Sequence, residues 1–168
     1  MEKGIRESAH IREKHGWGDK YVVIYAGSHS AVYDLHILLD SAKELKEKPI
    51  QFVLMGDGRQ KSDLQRRVKE ECINNVQFLN PVPRKEVAQY IQAADLGIAT
   101  LKKKRLLQYV YATKLLDYMA AGKPIVVGME GVSCALIEKE AKCGICVSPE
   151  EKDELKNAIM KMYHMSIE

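Results

Sequence analysis

Lys114 and Asp117 stand three positions apart in the stretch YATKLLDYMAAGKPIV, Tyr111 to Val126, where the residues around them are mostly apolar or small. Gly122 and Pro124 close a helix there, and Thr113 is the candidate N-cap, so Lys114 falls in the first turn. A cation at that end opposes the helix dipole by a few tenths of a kcal/mol, roughly, whereas free N–H groups at the same end favour an anion. A bound phosphate would reconcile the two. Spacing of three puts Lys114 and Asp117 on one helix face, so a ligand carrying both phosphates and hydroxyls could meet cation and carboxylate together; a nucleoside diphosphate is such a ligand. An i,i+3 ion pair on a solvated face remains the competing reading.

A second candidate anion cradle is GSHS, Gly27 to Ser30, where glycine allows close backbone approach just before a helix. It does not match G-x-G-x-x-G, and GDG at Gly56 to Gly58 lacks the third glycine, which disfavours a nicotinamide cofactor. AAGKP lacks the earlier glycine and the Ser or Thr of a phosphate loop, so no nucleotide hydrolase is indicated. Cys143 and Cys146 form C-x-x-C, but the pair leads into an apolar strand-like run, and neither a second such pair nor paired histidines complete a metal shell. Cys72 and Cys134 fall in helical patterns and read as buried thiols.

These groups must be held by elements that the apolar pattern predicts. Strands are expected at YVVIYAG, IQFVLMG, VQFL, LGIAT, PIVVG and GICV, short and bounded by Gly, Pro or Asn. Between them Leu35, Leu38, Leu39, Ala42 and Leu45 share a helical face, as do Leu64, Val68 and Cys72, and Val87, Ile91 and Ala94. SPEE predicts a last helix with Ser148 as N-cap and Glu151 reaching back, running toward Tyr163. Six strands alternating with helices imply an α/β fold, a doubly wound, Rossmann-like parallel sheet with helices on both faces, and ligands in such sheets bind beyond the carboxyl ends of the strands. Residues 1–20 are expected to be a lead-in helix or connector, residues 21–164 the domain, and residues 165–168 a loose tail.

The 168 residues, 46% hydrophobic and 29% charged, suffice for one cored domain. A net charge of +3 is too mild for a nucleic-acid surface, although KKKR at Lys102 to Arg105 is locally basic. No apolar run approaches the roughly 18 residues that span a bilayer, and a cytoplasmic setting is expected.

From about Lys20 onward the chain resembles the C-terminal, donor-binding domain of retaining GT-B glycosyltransferases of the group 1, family 4 type. The resemblance is carried, in order, by YVVIYAGS, FVLMGDG, NVQFLNPVPRKEVAQYIQAADLGIA, TKLLDYMAAGKPIVV and GICVSPEEKDELKNAI. It implies one half of a GT-B fold, with Gly27, Ser28, His29, Thr113, Lys114 and Leu115 around a diphosphate. Asp117 would hold the ribose and the backbone near Val82 the base, with Gly56, Asp57 and Gly58 lining the cleft. It also implies a UDP-sugar or GDP-sugar as donor, UDP before GDP, a polysaccharide or glycolipid acceptor, and no metal or other cofactor. Ser28 stands where many members carry Arg, and Tyr109 where the family's first acid would touch the donor sugar; the catalytic group is not assigned. The resemblance further implies a missing N-terminal acceptor domain, little turnover by this half alone, and any peripheral membrane association, at the inner face, through the absent half. A nucleotide-sugar epimerase of the same architecture and a non-catalytic module that keeps the fold are the alternatives.

Overall fold

The computed structural model describes residues 2–166. Six parallel strands form one sheet in the order β3-β2-β1-β4-β5-β6, with β1 Tyr21–Ala26, β2 Ile50–Met55, β3 Val76–Leu79, β4 Leu96–Thr100, β5 Ile125–Gly128 and β6 Gly144–Val147. Parallel neighbours require crossovers, and the helices that make them cover both faces. Accordingly β1, β2, β4 and β5 are buried along their whole length. α2 (His36–Glu44), α3 (Lys61–Glu70) and α7 (Lys152–Met165) pack on one face, where Leu35, Leu38, Leu39, Ala42 and Leu45 are buried as their spacing predicts. α1 (Glu2–Lys14), α4 (Arg84–Ala93), α5 (Thr113–Ala120) and α6 (Val132–Ala135), which runs on into a π turn over Leu136–Glu140, cover the other.

The strand order reverses between β1 and β4, and there the ladder is short, ending at Ile24↔Gly97. Beyond it the strands splay, and the Tyr118 hydroxyl fills the gap. It accepts from the Ala26 N–H at 3.0 Å and lies 3.1 Å from the Ile98 carbonyl, to which it can donate. Gly97 makes room for the ring, since a Cβ there would come within 2.6 Å of it. One buried tyrosine thus pins α5 to both strands at the reversal, which is where doubly wound sheets open a crevice.

The lead-in, expected as a helix or connector, forms α1, helical from Glu2 and packed on α4, with Ile11 and Trp17 buried and Arg12 bonded to the Ala93 carbonyl and to Asp95. Several other expectations need correction. α7 starts at Lys152 rather than just after Ser148, because Glu150 takes a positive φ; the carboxylate that reaches back, to the Ser148 N–H at 2.8 Å, belongs to Glu154. Met165 closes α7 and Ser166 caps it, while the rest of the expected tail, residues 167–168, lies outside the described residues. Cys72 is exposed in the turn after α3, with φ 53°, because the helix ends before the apolar pattern does. Cys134 and Cys146 lie side by side, with a Cα–Cα distance of 5.5 Å, and Cys143 stands apart from that pair.

Candidate functional site at the carboxyl ends of the strands

The loops after β1, β2 and β3 and the start of α5 enclose a cleft of about 370 Å³ beside the β1/β4 reversal. Its floor is two backbone loops in contact. The Gly27 N–H donates to the Met55 carbonyl at 2.9 Å, and Gly56 has φ 149° with its missing Cβ directed at the Gly27 carbonyl. Only glycine fits there. Lys61 braces the second loop from behind, donating to the Gly56 carbonyl and to Asn80, each at 2.9 Å.

α5 points its amino end into this cleft. Thr113 is its first residue rather than its cap: Ala112 holds the cap position with extended geometry, no side chain caps the helix, and the Leu115 N–H is already bonded to the Ala112 carbonyl. The N–H groups of Thr113 and Lys114 donate to nothing among the described residues. Those are the orphan donors that every helix start presents. A ligand anion could take them.

Lys114 is the most unusual group in the molecule. Its side chain crosses Gly27, whose Cβ would fall 2.9 Å from Cε, and only 7% of the residue is exposed. Its Nζ lies 3.7 Å from the centroid of the Tyr33 ring and 5.0 Å from that of Tyr25, and no carboxylate pairs with it among the described residues. The rings hold the cation by their quadrupoles without neutralising it. Burial pushes its pKa down to about 8. The ion-pair reading of Lys114 with Asp117 therefore fails: Asp117 pairs instead with Arg84, Nη2 to Oδ1 at 2.9 Å, and both line the cleft.

The titration has a sign that can be measured. Between about pH 8 and pH 10 the unfolded chain keeps a lysine proton that folded Lys114 has released, so stability rises with pH in that window; below it both forms are protonated and the cost is constant. Denaturant unfolding should show wild type gaining on a Lys114→Met variant by at most about 1.4 kcal/mol per pH unit across the window. Parallel stability curves would show that the ammonium is not desolvated.

Of the residues predicted for the site, Gly27, Ser28, Gly56, Asp57, Val82, Thr113, Lys114 and Asp117 line the cleft together. Three do not. The Leu115 side chain is fully buried in the core. Gly58 packs under the His29 backbone, where its Cβ would come within 2.6 Å. His29 is fully buried with both ring nitrogens unpartnered among the described residues, and burial, then Lys61, lowers its pKa to about 4, so it is neutral at pH 7. It supports the loop and offers no charge to the cleft.

Two polar side chains of the cleft escaped the sequence reading, Tyr33 and Arg84. Arg84 opens α4, so the signal that singled out Lys114, a cation in a helix first turn, was available for it as well. A larger cavity, about 680 Å³, lies at the other end of the sheet between Lys123, Lys142 and Lys161. It presents methionines and lysines but no helix amino end and no carboxylate, so it does not combine the groups that a nucleotide needs.

Comparison with known proteins bears on the fold and the family. The profile described as Glycosyl transferases group 1 matches residues 7–168. The putative colanic acid biosynthesis glycosyl transferase WcaI of Escherichia coli is 22% identical over 139 residues, 82% of this chain and 34% of that protein. The alpha-D-kanosaminyltransferase of Streptomyces kanamyceticus is 25% identical over 158 residues, 92% of this chain and 39% of that protein. The chain thus spans little more than a third of these relatives. Among solved structures, Anabaena Alr3699/HepE in complex with UDP and glucose superposes with a TM-score of 0.83 at 22% identity, covering 96% of this chain and 43% of that one. At that identity the likeness shows a shared fold.

Proposed function

Because this chain belongs to the group 1 glycosyl transferases, we propose that it is the donor-binding half of a retaining transferase that takes a sugar from a nucleoside diphosphate, UDP before GDP, for a polysaccharide or glycolipid acceptor. The observation that carries the proposal is the meeting, at one helix end in the β1/β4 crevice, of N–H groups and a buried cation that have no partner carboxylate among the described residues, with a carboxylate one turn further along. That combination fits a diphosphate joined to a ribose. HepE, which shares the fold, has been crystallised with UDP-glucose.

The chemistry asked of these residues is stabilisation of a leaving group. As the bond between sugar and diphosphate breaks, negative charge grows on the departing phosphate oxygen. Thr113 and Lys114 N–H groups and the Lys114 ammonium are fixed beforehand where that charge would develop, so no reorganisation is required during the reaction. Ser28 contributes its N–H from the facing loop, and the Val82 backbone meets the base. The acceptor is held by the other half of the protein, and this half alone turns over slowly. No helix is long and apolar enough to cross a membrane among the described residues.

Titration calorimetry with UDP and GDP tests the proposal. UDP should bind with a dissociation constant below a millimolar and more tightly than GDP. Above pH 8 the affinity should fall, and binding should take up close to one proton, because the diphosphate restores the charge that burial removes from Lys114. No binding of either nucleotide at millimolar concentration would leave only a module that keeps the fold.

A further inference from the structure

Arg84 and Asp117 face each other across the rim of the cleft, one from the first turn of α4 and the other from the second turn of α5. Their contact occupies one guanidinium nitrogen and one carboxylate oxygen; Asp117 Oδ2 and the remaining Arg84 N–H groups have no partner among the described residues. The Arg84 side chain is 81% exposed. An exposed pair of this kind contributes little to stability, and its cation sits against a helix dipole that disfavours it. Together the two side chains present a free acceptor beside free donors.

We propose that Arg84 is a specificity-determining residue, forming with Asp117 a mixed donor and acceptor edge that reads the vicinal diol of the nucleotide's ribose. The inference rests on the nucleotide reading of the cleft. A hydroxyl group both donates and accepts, and a lone carboxylate can satisfy only its donor side. Here one hydroxyl donates to Asp117 Oδ2 while its oxygen, or that of its neighbour, accepts from Arg84. The guanidinium also keeps the carboxylate turned toward the opening. A planar fork does both at once, which an ammonium cannot.

The test pairs a variant with a ligand lacking the diol: UDP and 2′,3′-dideoxyuridine diphosphate are titrated into wild type, Arg84→Ala and Arg84→Lys. Arg84→Ala should weaken UDP about 5- to 10-fold, the usual worth of a hydrogen bond, yet change the dideoxy ligand less than about 2-fold. Arg84→Lys should recover only part of the loss. Equal weakening of both ligands, or full recovery by lysine, would make Arg84 a general attractor of the diphosphate and overturn the proposal, as would UDP affinity that ignores Arg84. Failure of wild type to bind UDP at all would instead refute the reading of the cleft on which the proposal rests.

Discussion

Replacing Lys114 with methionine should stabilise the empty protein and cripple nucleotide binding in the same experiment. Lowering the lysine pKa from 10.5 to about 8 corresponds to about 3 kcal/mol spent on keeping the charge buried at neutral pH. Part of that is returned by the Tyr33 and Tyr25 rings, at about 0.5–2 kcal/mol. Methionine fills similar volume without a charge, so the variant should gain about 1–2 kcal/mol and melt a few degrees higher. UDP should bind about 10- to 100-fold more weakly, the loss expected for a hydrogen bond to a charged group. Opposite signs are the point of the experiment. A lysine that served packing alone would lose stability on substitution and leave affinity unchanged.

Gly56→Ala should be the most damaging small substitution at the cleft. A Cβ there would lie 1.9 Å from the Gly27 carbonyl oxygen, a backbone atom that can move only if the loop after β1 moves with it. Together with the positive φ, that should cost at least about 3 kcal/mol, or roughly 6 °C of melting temperature, and carry away nucleotide affinity because both loops shift. Gly122→Ala is the control. Its φ of 66° is also positive, but no atom lies within 4 Å of the new Cβ, so only the left-handed strain of about 1 kcal/mol remains. Equal damage from the two would mean that loop contact is not what requires glycine at Gly56.

How much of this could be read from residues alone depends on the range of the interaction. Strands buried on both faces announce themselves as unbroken apolar runs, and β1, β2, β4 and β5 fall where those runs are. Lys114 was legible because a cation in the first turn of an apolar helix conflicts with local physics. Its real partners were not. Tyr33 reaches it from a loop some eighty residues earlier in the chain, and nothing near Tyr33 in sequence hints at a lysine above its ring. The same limit hid the Arg84 to Asp117 contact, which requires the starts of two helices to be placed side by side. His29 shows the converse error: polarity beside glycine suggested an anion contact, yet its exposure was set by the β2 loop closing over it. At Ser148 and Thr113 the local cap preference does not decide where the helix starts: the Glu154 carboxylate takes the Ser148 N–H, and Ala112 holds the cap position of α5.

The claim beneath all of this is that the amino end of α5 is where a nucleoside diphosphate docks. Amide chemical-shift mapping on isotopically labelled protein titrated with UDP addresses it directly, because the two cavities lie at opposite ends of the sheet. The account predicts saturable shifts at Gly27, Ser28, Val82, Thr113, Lys114 and Asp117, with Gly122, Lys142 and Lys161 unmoved. Shifts confined to those last three residues, with the α5 start unperturbed, would contradict it.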